Sequence, residues 1–247
     1  MSDRFQITLA QINPTVGDLQ GNARLAKEAW DQAKAAGSDL VAFPEMFITG
    51  YNAQDLVMKP AFQRAAIAEI EGLAQACKEG PALAIGGPWV EAGALFNAYF
   101  ILNDGRIVSV VEKHHLPNQS VFDEVRIFSS GEIAGPYSVG NTRIGSPICE
   151  DAWHPDVAET LQETGAEFLL VPNGSPYHRQ KSEERQNVMV ARVIETGLPL
   201  IYLNMVGGQD DQVFDGGSFV LNPGGALAVQ MPMFESALAH VVLIKQG

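Results

Sequence analysis

The stretch "SPICEDAW", residues Ser146–Trp153, decides how this chain is read. It places one of only two cysteines after the apolar run "TRIGSPI" (142–148) and before two acids, Glu150 and Asp151. Carboxylates beside a thiol raise its pKa and blunt its reactivity. Cys149 is therefore either an inert packed thiol or a nucleophile activated from elsewhere in the chain. The run 142–149 reads as a strand, and a helical pattern follows it from about 154 to 164.

The same strand-then-helix alternation extends in both directions. "FQITLAQ" (5–11), "DLVAF" (39–43), "ALAIGG" (82–87), "EFLLVP" (167–172), "PLIYLNM" (199–205), "GSFVLN" (217–222) and "ALAHVVLI" (237–244) read as strands. Residues 19–36 carry Leu25, Ala29, Ala33 and Ala36 at helical spacing, and Gly37 stops that helix. Residues 60–79 and 180–196 also read as helices, the latter with Val188, Ala191 and Ile194 on one side. "LFNAYFIL" and "GRIVSVVEK", separated at Asp104-Gly105, predict a hairpin. Strands alternating with helices specify an α/β protein, and no Ser/Gly/Pro-rich linker divides it.

Composition narrows the function. The 247 residues hold 16 basic and 29 acidic side chains, a formal net charge of −13, which argues against a nucleic-acid surface and an anionic membrane. No apolar run is long enough to span a bilayer, and "MSDRFQITLA" lacks the features of a signal peptide. Cys77 and Cys149 show no disulfide or metal spacing, so free thiols and a cytoplasmic location are the expectation.

Open α/β sheets carry their sites at the carboxyl ends of strands. Glu45 follows "DLVAFP", Lys113 ends "GRIVSVVEK" and Cys149 ends "TRIGSPI". A carboxylate, an ammonium and a thiol on one rim make chemical sense. Glu45 would take the thiol proton, and Lys113 would favour the thiolate and then hold developing negative charge. Each residue also has a plainer reading: a packed cysteine, a helix-capping glutamate, a solvated strand-end lysine. A Cys–His–Asp set drawing on His114 or His115 with Asp151 is a second chemistry, and a silent assembly module a third possibility. A metal site is not expected, because adjacent histidines on a strand point to opposite faces and no HxH or HExxH spacing occurs.

Four separated blocks, "FPEMFITGY" (43–51), "EKHHLPN" (112–118), "VFDEVRIF" (121–128) and "SPICEDAWHP" (146–155), resemble the nitrilase, or carbon–nitrogen hydrolase, superfamily. Two more, "VPNGSPY" (171–177) and "VGGQDDQVFDGGS" (206–218), resemble the glutaminase domains of glutamine-dependent NAD synthetases. The resemblance runs from about Phe5 to Ile244. It implies a four-layer α-β-β-α sandwich and a Glu45–Lys113–Cys149 triad, with Glu124 as an additional glutamate. It implies that glutamine is hydrolysed to glutamate and ammonia through a thioester, with the N–H after Cys149 and Lys113 as the oxyanion site. Tyr51, Glu150, Trp153, Ser175 and Lys181 would hold the substrate, with Glu150 facing its ammonium and Lys181 its carboxylate. An ω-amidase or carbamoylase on the same fold is the neighbouring alternative. The resemblance calls for no cofactor in this domain and implies a homo-oligomer. It also implies a C-terminal ATP-dependent synthetase domain with a Gly-rich "SGG" phosphate loop. Residues 1–247 contain no such loop, since "GGPW" and "NPGGA" lack its serine and helix, so one hydrolase domain is expected over 1–247 with its partner absent. Gln119 and Ile127 stand where the pattern has tyrosines, and Gln180 where it has glycine, which predicts an altered aromatic wall at the substrate entrance.

Overall fold

The computed structural model describes residues 4–244. In chain order its elements begin β1 (Arg4–Gln11), α1 (Leu19–Ala35), β2 (Leu40–Ala42), α2 (Pro60–Ala76), β3 (Ala82–Glu91), β4 (Ala94–Asn103), β5 (Arg106–Glu112) and α3 (Glu124–Ile127). They continue β6 (Tyr137–Val139), β7 (Thr142–Gly145), α4 (Pro155–Glu163), β8 (Phe168–Asn173), α5 (Lys181–Thr196) and β9 (Leu200–Asn204). The chain closes with β10 (Val206–Gln209), β11 (Gln212–Asp215), β12 (Phe219–Leu221), β13 (Leu227–Gln230) and β14 (Ala237–Ile244). Two six-stranded sheets form, ordered β14-β1-β2-β3-β4-β5 and β13-β12-β9-β8-β7-β6, and β10–β11 pair as a separate hairpin.

Side-chain alternation sets the layers, because successive strand residues point to opposite faces. Ile7, Leu9, Leu40 and Ala42 of the first sheet meet Phe168, Leu170, Ile201 and Leu203 of the second in one buried cluster. The intervening residues Ala10, Val41 and Phe43 turn outward onto Ala26, Ala29, Trp30 and Ala33 of α1 and Ala66, Ile70 and Leu73 of α2. Leu169, Val171, Leu200 and Tyr202 likewise pack on Val157, Ala158 and Leu161 of α4 and Met189 and Val193 of α5. The result is the expected α-β-β-α sandwich. Strands buried on both faces read as continuous apolar runs, which is why they stand out in the sequence.

The helices start where local chemistry allows. The Asp18 carboxylate accepts the Gly21 N–H at 2.9 Å to cap α1, and proline opens α2 and α4, where a missing N–H is harmless. Asp104 and Gly105 both take positive φ in the β4–β5 turn, as a two-residue hairpin requires.

Several expectations are corrected. The strand expected over 142–149 stops at Gly145, and Ser146–Ile148 run on outside it before a 3-10 turn at Cys149–Trp153. On α5 the buried face is Arg185, Met189, Arg192, Val193 and Thr196, while Ile194 is 61% exposed. The apolar spacing misassigned that face because two arginines are buried on it, Arg185 against Asp215 and Arg192 beside Glu195 one turn along the helix. Strands β6, β10, β11 and β13 carry no expectation from the sequence; they are three or four residues long, too short for a periodic signal. Among the described residues no helix is long and apolar enough to cross a membrane.

Candidate active site

Parallel pairing of β1, β2 and β3, and of β7, β8 and β9, brings the carboxyl ends of β2, β7 and β8 to one end of the sandwich. Glu45 leaves β2 and passes directly over β3 at Gly86. A Cβ on Gly86 would stand 2.1 Å from the Met46 nitrogen, so only glycine permits this crossing. Lys113 follows β5, its N–H donated to the Asn97 carbonyl at 2.8 Å. Both side chains are buried, Glu45 to 1% and Lys113 to 0% exposure, which removes the readings of a capping glutamate and a solvated lysine.

The Lys113 ammonium lies 2.7 Å from Glu45 Oε1 and 2.7 Å from Glu124 Oε2. Glu45 Oε2 accepts the Gly174 N–H at 2.7 Å, just beyond β8. Asn97 Nδ2 donates to Glu45 Oε1 at 2.8 Å and to Glu124 Oε1 at 3.2 Å. The Tyr51 hydroxyl donates to Glu124 Oε1 at 2.9 Å. Two carboxylates thus share one ammonium in a buried cluster. Burial alone would lower the Lys113 pKa, but Glu124 and Glu45 hold it well above the usual range. Burial raises the Glu124 pKa, opposed by Lys113.

Cys149 sits on an elbow. Ile148 is extended, Cys149 takes φ 48°, and the 3-10 turn begins at once. A non-glycine residue in that region costs on the order of 1–3 kcal/mol and needs surrounding structure to hold it. Asp151 supplies the hold. Its Oδ1 accepts the N–H groups of His114 and His115 at 3.1 and 2.7 Å, and its Oδ2 accepts that of Ile148 at 2.9 Å. One buried carboxylate therefore ties the segment after Lys113 to the elbow, so Asp151 is not turned toward a substrate ammonium.

The Cys149 thiol corrects one expectation. Burial, and then the Glu45 charge, push its pKa well above the usual value, and Lys113 offsets only part of this. This environment favours the thiol over the thiolate, so a base must take the proton as the sulfur attacks. The Cys–His–Asp arrangement does not form. The His114 ring meets the Gly131 carbonyl through Nδ1 at 2.7 Å, and the His115 ring meets Asp156 at 2.9 Å, while Asp151 bonds backbone only. His114 and His115 lie beyond β5, so strand alternation does not separate them; their rings are 4.7 Å apart. With Asp156 they bring one potential ligand atom each within 4.8 Å of the others, although His115 Nε2 already bonds both Asp156 oxygens.

The expected substrate-holding residues divide. Glu150 is partly buried next to Cys149 and 3.7 Å from His154 Nε2. The Lys181 ammonium lies 4.1 Å over the Trp153 ring, so these two distant residues do meet. Tyr51 and Ser175 are buried in hydrogen-bond networks. The Ser175 hydroxyl accepts from Arg185 Nε at 3.1 Å, and Arg185 Nη1 is held by Asp215 at 2.7 and 2.9 Å. Ile127 is 8% exposed in a cluster with Tyr51, Met46 and Phe214, and Gln119 is exposed, so the two do not form one wall. Asn97 and Gly174 are the residues that sequence reasoning missed, and Asp151, considered there only as a partner for histidine, instead holds backbone N–H groups. An amide inside the buried run "LFNAYFIL" is the signal that marks Asn97.

The comparisons agree with this fold. The sequence profile "Carbon-nitrogen hydrolase" matches residues 6–244. A glutamine-dependent NAD(+) synthetase of Rhodobacter capsulatus is 59% identical over 98% of this chain, which spans 44% of that protein. The glutamine-dependent NAD+ synthetase of Acinetobacter baumannii superposes with a TM-score of 0.92 at 33% identity, covering 97% of this chain and 45% of that one. A variant of an amidase from Nesterenkonia sp. AN1 superposes with a TM-score of 0.86 at 26% identity over 98% of this chain and 91% of its own. It shows covalent addition of the acetamide moiety of fluoroacetamide at its active site cysteine. The chain spans less than half the length of the synthetases it resembles. With the profile matched from end to end of the described sandwich, and a buried carboxylate–ammonium cluster beside a cysteine elbow, the chain belongs to the carbon–nitrogen hydrolase family.

Proposed function

We propose that this chain hydrolyses the side-chain amide of glutamine, as the ammonia-supplying part of a glutamine-dependent NAD synthetase. The observation that carries this reading is the Lys113 ammonium, 2.7 Å from both Glu45 and Glu124, beside the Cys149 elbow. The 59% identity to the Rhodobacter synthetase supplies the substrate class.

The chemistry follows from the resting charges. The Cys149 sulfur attacks the amide carbon as its proton passes to Glu45. The carbonyl electron pair becomes an oxyanion that the Lys113 ammonium and the N–H after Cys149 receive. Collapse breaks the C–N bond, Glu45 returns the proton to nitrogen, and ammonia leaves a glutamyl thioester. Water then attacks the thioester, Glu45 takes its proton, and glutamate departs as the thiol re-forms. Glu150 faces the substrate ammonium, and Lys181, seated on Trp153, faces its carboxylate. Tyr51 and Ser175 act from behind, through Glu124 and Arg185. These steps draw on side chains, one backbone N–H and water, and call for no cofactor. The ammonia would pass to an ATP-dependent synthetase part in the remaining length of such proteins. Homo-oligomerisation belongs to the same reading, with exposed Ile194 on α5 as apolar surface to cover. A cytoplasmic location suits two free thiols.

Mass spectrometry of the chain incubated with glutamine tests this directly. A glutamyl adduct on the Cys149 peptide is expected, absent in Cys149→Ala, with ammonia release lost in that variant and retained in Cys77→Ala. Glu45→Gln is expected to lower the rate about a hundredfold. Full activity in Cys149→Ala would overturn the mechanism. An adduct formed with ω-amides or carbamoyl compounds and never with glutamine would move the substrate to the neighbouring alternative.

A further inference from the structure

Asn97 touches every charged member of the buried cluster yet has no part in the steps above. It lies on β4 and is 1% exposed. Its carbonyl accepts the Lys113 N–H at 2.8 Å, and its Nδ2 donates to Glu45 Oε1 at 2.8 Å and Glu124 Oε1 at 3.2 Å. Its own Oδ1 is buried without a hydrogen-bond partner. The amide orientation is fixed by this surrounding, since the flipped amide would aim an oxygen at two carboxylates.

We propose that Asn97 is a positioning residue that keeps the base Glu45 ionised and aimed by bridging the two carboxylates. Glu45 and Glu124 share one ammonium, so the cluster carries one uncompensated negative charge. Two like charges in one buried site drive one of them to take up a proton. A neutral N–H donor shared between both oxygens stabilises the doubly ionised state without adding a charge that would have to be desolvated. The groups that face this pair are Lys113 from the end of β5, Tyr51 from the segment after β2, the Cys149 thiol with Glu150 behind it, and the Gly174 N–H. Tyr51 and Gly174 each serve one carboxylate, whereas Asn97 serves both.

This inference rests on the amide-hydrolysis reading only for its substrate, so one of its two measurements avoids glutamine. Asn97→Leu removes the donor at similar volume, and Asn97→Ser retains a shorter donor. For both, kcat and KM for glutamine are measured across pH, together with the pH dependence of Cys149 alkylation by iodoacetamide, read on its peptide. In Asn97→Leu, kcat is expected to fall about tenfold to a hundredfold with KM within about twofold. The acid limb of both pH profiles moves to higher pH by about one unit, and Asn97→Ser falls between parent and Asn97→Leu. A folded Asn97→Leu with unmoved acid limbs overturns the proposal, as does a loss of activity that is uniform in pH. If Asn97→Leu does not fold, the same criteria apply to Asn97→Ser. A shifted alkylation profile in a chain inert to glutamine sustains the role of Asn97 and rejects glutamine as substrate.

Discussion

Replacing Gly86 with alanine tests whether the position of Glu45 is set by backbone contact between strands. The new Cβ would lie 2.1 Å from the Met46 nitrogen, 2.7 Å from the Glu45 carbonyl carbon and 2.8 Å from the Pro44 oxygen. Ordinary contact begins at 3.4 Å. All three atoms belong to backbone, so no side chain can rotate away. The Glu45 segment must lift by about 1.3 Å, the gap between the nearest contact and the ordinary one. Glu45 is held at 2.7 Å from Lys113, 2.8 Å from Asn97 and 2.7 Å from the Gly174 N–H, and a lift of that size takes all three beyond good hydrogen-bond distance. A misplacement of about 1 Å at a reacting group costs on the order of a hundredfold in rate. Overpacking of this kind costs about 1–3 kcal/mol in stability. Gly86→Ala should therefore fold, unfold at lower urea concentration, and release ammonia about a hundred times more slowly. The paired assays are urea denaturation by circular dichroism and steady-state ammonia release. A folded Gly86→Ala with parental activity would refute the claim that this crossing positions the base.

Asp215→Ala leaves the Arg185 guanidinium buried without its bidentate partner, and should cost about 3–5 kcal/mol in urea unfolding; a loss below about 1 kcal/mol would show that Ser175 and Pro176 satisfy Arg185 alone. Burial raises the Asp151 carboxyl to about 6 against an ordinary 3.8, opposed by its backbone donors. The folded state thus binds that proton more tightly than the unfolded chain. The associated stability is fully present below about pH 4 and is lost as pH rises through about 6, amounting to roughly 3 kcal/mol. Urea midpoints from pH 4 to 7 should carry this slope in the parent and lack it in Asp151→Asn. Protonation also removes an acceptor from the Cys149 elbow, so activity should fall as pH drops through about 6. Ile127→Tyr enlarges a side chain already packed against Tyr51 and should lose about 1–3 kcal/mol, whereas exposed Gln119→Tyr should leave the unfolding midpoint unchanged.

Apolar periodicity was sufficient for the strands, the helices and the α/β class, whereas the four-layer stacking was expected only from the family resemblance. Strands buried on both faces, such as "ALAIGG" and "EFLLVP", produce uninterrupted apolar runs, and amphipathic α1 and α4 lie between them. Positions at the ends of such runs made Glu45, Lys113 and Cys149 candidates, and the family resemblance grouped them as a triad; the fold puts the Glu45 and Lys113 side chains in contact. The sign of the local electrostatics was not legible. Lys113 taken alone favours the thiolate, but burial and the Glu45 charge raise the Cys149 pKa, and burial is a property of the assembled sandwich. Asn97 reads in sequence as one polar residue in a strand; only pairing of β4 beside β3 and β5 brings it between Glu45 and Glu124. Arg185 likewise looks like the polar side of α5, and turns inward because Asp215, on β11, awaits it. Linear pattern reports what each segment does with water. Which charges share a cavity depends on contacts between residues far apart in the chain, and those exist only once the sheets have stacked.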